Sequence, residues 1–258
     1  MLESLHRPNS ELAEAAAFQL SRDYACPPED FLGKENKAYE SKIISGRRNI
    51  TETTDFFRMA TMGNAAVAAG DPFILPFLNR IMDKYEGSQL FSGKVRYLLE
   101  NELRRFNRTV GEVTIYYLPQ TPYKYVPRGG FRMRVYEQDE IREILYRYKG
   151  FSNALLYDST KMRKDVLAVC ALNGDNIVGM AGASNDSERF WQIGIDVLPG
   201  YRHLGIGSEL VSALTYEVLM HGAVPYYGTW SGNIASQSVA ASCGYKPVWT
   251  EMYSVGIE

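Results

Sequence analysis

Two apolar runs of strand length, Asp165 to Leu172 and Asn176 to Ser184, are separated only by Asn173-Gly174-Asp175. No other feature constrains the fold of this chain as strongly. Each run has the length of a strand, and a turn made of Asn, Gly and Asp folds the second run back on the first as a hairpin. A strand from Phe131 to Tyr136 and a helix from Asp139 to Lys149 precede the hairpin. A strand from Phe190 to Leu198 follows, then a loop from Pro199 to Gly205 and a helix of about Gly205 to Met220 with Ile206, Leu210, Leu214 and Val218 on one face. A short strand from Val224 to Thr229, a helix from Asn233 to Cys243 stopped by Gly244, and a last strand from Val248 to Val255 complete the order. The sequence β-α-β-β-β-α-β-α-β predicts an antiparallel meander followed by βαβ crossovers.

The half before it reads as a separate α+β segment. Ser10 caps a helix to Tyr24 in which Leu12, Ala16, Leu20 and Tyr24 recur every fourth residue, and Pro27-Pro28 stop it. Residues 33–50 are polar and carry no clear period. Phe56 to Ala69 reads as strand, turn and strand around Gly63-Asn64; Asp71-Pro72 reads as the start of a helix with Phe73, Phe77, Leu78 and Ile81 on its apolar face. A second helix spans about Lys94 to Phe106, and Glu112 to Leu118 reads as a strand. The stretch Leu118 to Gly130, with three prolines and two adjacent glycines, has the chemistry of a connection between domains 1–125 and 126–258.

Composition narrows the function classes. With 28 basic and 30 acidic residues the chain has a formal charge of −2, which gives no bulk field for nucleic acid or an anionic membrane. Its three cysteines are far apart, and three histidines make no metal-ligand spacing, so no metal is expected and the thiols fit a reduced, cytoplasmic protein. Acids at the N-terminus argue against a signal peptide, and no apolar run approaches the ~18 residues of a membrane span.

The chemistry sits in Val197-Leu-Pro-Gly-Tyr-Arg202-His203-Leu204-Gly205-Ile206-Gly207-Ser208. A helix N-terminus offers unpaired N–H groups and a partial positive charge. Two glycines let a phosphate approach the backbone, and Ser208 adds a hydroxyl. A dinucleotide fingerprint fails because Leu210 stands where the third glycine belongs, and a P-loop fails for want of a lysine.

The spacing Arg202-x-x-Gly205-x-Gly207, followed some 30 residues later by Asn233-Ile-Ala-Ser236 and a helix ending in Gly244-Tyr245, resembles the GCN5-related N-acetyltransferase (GNAT) superfamily. Met62-Gly63-Asn64-Ala65-Ala66-Val67 is similar to a subfamily with a long N-terminal half. The resemblance implies an α/β (α+β) fold with a mixed, mostly antiparallel twisted sheet and flanking helices, plus an N-terminal α+β domain that either packs beside the acceptor site or covers it. It implies acetyl-CoA as cosubstrate, held by Val197, Leu198, Arg202, His203, Leu204, Gly205, Ile206, Gly207, Ser208, Asn233 and Ser236. It implies direct attack of an amine on the thioester, with a backbone N–H near Val197 or Leu198 facing the oxyanion.

For the base that deprotonates the amine, Asp196 is the first choice and Glu188 the second. The family's acid, a tyrosine near the end of the late helix, is replaced here by Ala240, while Tyr245 reads as packing. Trp230 and the tyrosines 116, 117, 123 and 125 read as either acceptor-site walls or core, and Cys243 as a buried thiol. The acceptor is expected to be a small-molecule amine, and three basic against eight acidic residues over 167–258 favour a cationic one. A homodimer fits this reading. The alternative is a coenzyme A sensor or scaffold without turnover.

Overall fold

A computed structural model describes residues 10–127, 129–158 and 162–257. The first nine residues, where charge argues against a signal peptide, and Arg128 in the punctuated stretch lie outside the described residues. The chain divides into two compact units. One comprises Met1–Tyr116, Thr229–Gly232 and Pro247–Glu258; the other comprises Tyr117–Gly228 and Asn233–Lys246.

The elements in chain order are α1 (Ser10–Tyr24), α2 (Glu29–Leu32), β1 (Lys37–Glu40), β2 (Phe57–Thr61), β3 (Ala66–Gly70), α3 (Leu75–Lys84), α4 (Gly93–Arg104), β4 (Arg108–Val110), β5 (Thr114–Pro119), β6 (Arg132–Glu137), α5 (Gln138–Glu143), β7 (Asp165–Asn173), β8 (Asn176–Asn185), β9 (Phe190–Val197), α6 (Ile206–Met220), β10 (Val224–Trp230), α7 (Ile234–Ser242) and β11 (Tyr245–Gly256). Both units have the expected mixed α/β character with mostly antiparallel pairing.

In the first unit the strands run β1-β3-β2-β11, with β4 on β11. The β2–β3 hairpin and the β2–β11 pair are antiparallel, and β1 joins β3 in parallel. Phe57, Met59, Leu78, Leu99 and Met252 form its core, so the periodic faces of α3 and α4 meet the inner face of the sheet. Two readings need correction here. Helix α3 starts at Leu75 and not at Pro72, because the Asp71 carboxylate and carbonyl take the N–H groups of Phe73, Ile74 and Leu75 in a turn of their own. Phe73, assigned to the apolar face, is 77% exposed as a result. Strands β1 and β4, of four and three residues, carry too few side chains to show a period.

In the second unit the order is β10-β9-β8-β7-β6. The β7–β8 hairpin pairs Asn173 with Asn176, so Gly174-Asp175 is a two-residue turn, with Gly174 at φ +61. Strand β9 is antiparallel to β8, and β10 is parallel to β9 through the α6 crossover. The helix expected over Asp139 to Lys149 stops at Glu143 and tightens into a 3-10 turn, Leu145–Arg147. β-branched and aromatic residues crowd that point, where helix propensity is low. Ile141 and Leu145 nevertheless reach the core with Leu155, Cys170 and Met180.

Candidate functional site

The site grows from the end of β9. Leu198 donates its N–H to Val178 O at 2.9 Å across the antiparallel β8–β9 ladder. In such a ladder alternate residues point their N–H groups at opposite neighbours. The β8–β9 register is unbroken from Asn185–Trp191 to Gly179–Val197, so the N–H groups of Ile195 and Val197 point away from β8. On that side β10 pairs with β9 only from Phe190–Val224 to Ile193–Tyr227. Beyond Ile193 the two strands part, and Ile195 and Val197 present their N–H groups to the opening. Of the two oxyanion donors expected from the sequence, Leu198 is therefore spent on the sheet and Val197 faces the gap.

The turn that follows leads into the N-terminus of α6. Arg202 donates from Nε to Val197 O at 3.1 Å, which holds the guanidinium at the top of β9. His203 (φ +64) and Gly205 (φ +79) take the left-handed conformation that swings the chain into α6. Gly205 is the N-cap and has no side chain with which to cap, so the N–H groups of Ile206, Gly207 and Ser208 form an uncapped N-terminus. A Cβ on Gly207 would meet only Val197 Cγ2 at 3.6 Å and Ile195 Cγ1 at 4.0 Å, ordinary contacts. Packing within the protein therefore gives no reason for glycine there, whereas a phosphate lying on the backbone does. Leu204 is exposed and Ile206 is core. Ser208 Oγ is 2.7 Å from Ser242 Oγ, and the Cys243 thiol donates to Ser208 O, so the end of α7 is tied to the first turn of α6.

Asn233 caps α7, its Oδ1 accepting from Ser236 N at 3.1 Å. Ser236 Oγ in turn meets the Tyr227 hydroxyl at 2.8 Å. Tyr227 stands at the last registered β9–β10 pair, and burial raises its phenol above the usual tyrosine range, so it stays protonated in neutral solution. The sequence reading passed over Tyr227, because a tyrosine in a short apolar strand has no motif. Ala240 is fully buried in α7, and Tyr245 is core, hydrogen-bonded to Thr215 at 2.7 Å.

The two carboxylates singled out for a base stand differently. Asp196 turns to the opposite segment: Oδ2 accepts from Asn153 N (2.7 Å) and Ala154 N (3.0 Å), and Oδ1 from Asn153 Nδ2 (2.6 Å). Glu188 is exposed on the β8–β9 turn. It lies beyond Phe190, at the far end of a strand roughly 23 Å long from Val197.

A small cavity of about 50 Å³ between residues 153–156 and the β8–β9 face contains a cluster the sequence did not reveal. Arg163 donates to Gln192 Oε1 (2.8 Å) and Ser184 Oγ (3.1 Å) and pairs with the buried Asp186, which also accepts from the Tyr226 hydroxyl. Asp165, on the same wall, takes the N–H groups of Leu156 and Tyr157, and burial raises its pKa. Of the tyrosines at 116–125, Tyr116 stacks on Trp249 at 4.8 Å in the first unit, while Tyr123 and Tyr125 line a cavity over α6 in the second. Trp230 is half-exposed. Among the described residues no group of His, Cys, Asp and Glu could hold a metal, and no helix is long and apolar enough to cross a membrane.

The family model described as acetyltransferase (GNAT) family matches residues 135–245, which takes in β7 to α7. No curated protein matches the chain. Among solved structures, an acetyltransferase from the GNAT family of Colwellia psychrerythraea aligns at 15% identity over 66% of this chain and 75% of its own, with a TM-score of 0.43. A GCN5-related N-acetyltransferase-like protein from Streptococcus suis aligns at 16% identity over 73% and 78%, with a TM-score of 0.43. The aminoglycoside N-acetyltransferase AAC(6')-Iy in complex with CoA aligns at 21% over 46% and 90%, with a TM-score of 0.34.

Proposed function

We propose, from the match of residues 135–245 to the acetyltransferase (GNAT) family model, that this protein takes acetyl-CoA as cosubstrate and transfers its acetyl group to the amine of a small molecule. The observation that carries the reading is the pairing of an uncapped, glycine-lined α6 N-terminus with a strand edge left open beyond Ile193. The first suits a diphosphate, and the second offers extended backbone to the pantetheine arm. Residues 126–258 are the acyl-CoA-binding domain in this reading and 1–125 its companion. The excess of acids over 167–258 supports a cationic acceptor, and three free cysteines support a reducing, cytoplasmic setting.

The amine nitrogen attacks the thioester carbonyl and forms the C–N bond. Val197 N–H, aimed into the gap, holds the oxyanion. Collapse breaks the C–S bond, and the departing thiolate takes the proton of Tyr227; the acylated nitrogen sheds its extra proton to solvent, and Tyr227 is reprotonated from solvent through Ser236. Asp196 is a positioning residue here, since its three hydrogen bonds hold residues 153–154 against the β8–β9 face. Replacement of Tyr227 by Phe is expected to lower kcat about 100-fold while leaving acetyl-CoA affinity within twofold. Steady-state kinetics with the first active amine of a screen, followed by coenzyme A release, read this directly; an unchanged kcat removes Tyr227 from the proton path. The second reading, coenzyme A binding without turnover, draws on the buried methyl of Ala240 where the family acid would stand.

The deciding experiment is calorimetric titration with acetyl-CoA. Micromolar binding is expected for the native protein, and loss of binding for Arg202→Glu. Gly207→Ala should bind at least tenfold more weakly yet melt no lower than the native protein. A Cβ has room at that position, and alanine favours the helix by up to about 1 kcal/mol. If the native protein does not bind acetyl-CoA, the reading fails.

A further inference from the structure

We propose that Gln192, held in one orientation by Arg163, selects the acceptor by donating a hydrogen bond from Nε2 to a carbonyl oxygen on it. The inference rests on the acetyl-transfer reading above and deepens it by naming the class of amine, one that also carries an amide or a carboxylate.

Strand register puts three polar side chains in one row. Gln192 pairs with Ser184 of β8 on one side and with Tyr226 of β10 on the other, so all three leave the same face of the sheet. Gly182 and Gly194, two residues along their strands, lie on that face against the backbone of residues 153–154. Ile195 and Val197 lie on the opposite face, beside Gly207 of α6. With the cosubstrate on the α6 side, the acceptor comes to the gap from the other. Gln192 stands there, one residue before Ile193, the last residue of β9 paired with β10.

Arg163 fixes which end of the Gln192 amide is presented. Arginine only donates, so the Gln192 atom 2.8 Å from Arg163 Nη2 is the oxygen. Arg163 is itself held. Its Nε meets the buried Asp186 at 2.5 Å and Ser184 Oγ at 3.1 Å, and Asp186 also accepts from Ser184 Oγ and the Tyr226 hydroxyl. A rotated Gln192 would set its NH2 against the guanidinium and lose that bond. Nε2 is therefore the end left to a ligand, and it has no partner among the described residues. Gln192 and Arg163 are both partly exposed, and both line the cavity of about 50 Å³ beside residues 153–156. That space has room for a carbonyl group and not for a whole substrate. A fixed donor selects for a ligand with an oxygen and against one with a bare alkyl chain. Asp186 balances the Arg163 charge, so an uncharged oxygen suffices.

The test is steady-state acetylation by the full chain, read by coenzyme A release over a screen of amines in matched sets. Lysinamide and lysine are set against cadaverine, and leucinamide and leucine against isopentylamine. Each amide and its carbonyl-free analogue carry the same number of amines and no acid, so their ratio isolates the carbonyl. In the native protein kcat/KM for the amide should exceed that for the analogue at least tenfold. Gln192→Glu keeps the oxygen that Arg163 holds and removes the donor. The ratio should then fall to within twofold of unity, chiefly through a higher KM for the amide. Because the ratio is taken within one protein, it does not depend on the fraction folded. The acid against the amide tells whether a carboxylate or an amide supplies the oxygen. A native ratio near unity, a ratio that Gln192→Glu leaves intact, or turnover confined to carbonyl-free amines overturns the inference and leaves acetyl transfer standing. No coenzyme A release with any amine of the screen overturns both.

Discussion

Gly194→Ala is expected to lower the melting temperature by about 6–12 °C and to abolish acetyl transfer. A Cβ at Gly194 would lie 1.8 Å from Asn153 O, and one at Gly182 would lie 2.0 Å from Ala154 O. These obstacles are backbone carbonyls, which no rotamer change can move aside. Residues 153–154 therefore lie directly on the backbone of β8 and β9, and both glycines exist to admit them. Moving the segment away strips Asp196 of the N–H groups of Asn153 and Ala154, and strains those that Leu156 and Tyr157 give to Asp165. Forced overpacking with loss of buried hydrogen bonds costs about 3 kcal/mol. At this chain length each kcal/mol moves the midpoint by roughly 2–4 °C. Thermal denaturation followed by circular dichroism checks it. Gly93→Ala is the control, because no atom lies within 4 Å of the added methyl. A Gly194 variant that melts within 1–2 °C of the native protein would show that the segment is not held there.

The turn proposed for the diphosphate was legible in the sequence and the rest of the candidate site was not, and the difference has a physical cause. Arg202, Gly205 and Gly207 fall within six consecutive residues of one turn, so spacing alone records them. The α6 and α7 caps are similarly local: Gly205 and Asn233 stand where the pattern puts them. The place of Asp196 on β9 is legible in the sequence. Its partners, however, are 42 and 43 residues away in a segment with no period, and only the folded chain shows that its carboxylate is occupied. The parting of β9 from β10 is likewise a matter of register between strands joined by α6. Two apolar strands that pair throughout and two that separate midway read alike in sequence. Short elements failed for a simpler reason: β1 and β4 are too brief for alternation to rise above chance.

The largest loss of stability is expected in the first unit, from Arg48, a residue within the polar stretch 33–50 that shows no period at all. Its guanidinium is fully buried. Nε meets Asp23 Oδ2 at 2.5 Å, Nη2 meets Glu251 Oε1 at 2.6 Å, and its own N–H donates to Asp23 Oδ1 at 2.7 Å. Tyr116 and Trp249 flank it with ring centroids 5.3 and 5.6 Å from the guanidinium carbon. This one side chain thus joins Asp23 of α1 to Glu251 of β11, which stands 203 residues beyond Arg48 in sequence. Removing it leaves two carboxylates in the core, of which Glu251 keeps Arg58 at 3.5 Å and Asp23 keeps the amide of Gln19 and the residue-48 N–H. Breaking a buried pair from one side costs about 3–5 kcal/mol, most of it the desolvation of the charge left behind. Arg48→Met should therefore lower the unfolding free energy of the first unit by that amount, read from its urea midpoint and slope. Asp23→Asn should cost less, because a neutral amide needs no counter-ion. The double variant Arg48→Met/Asp23→Asn should recover at least 1.5 kcal/mol relative to the sum of the singles, the signature of direct coupling. Additive singles, or an Arg48 variant that loses under 1 kcal/mol, would mean that water replaces the guanidinium and that the packing of Trp249 and Tyr116 alone holds this core together.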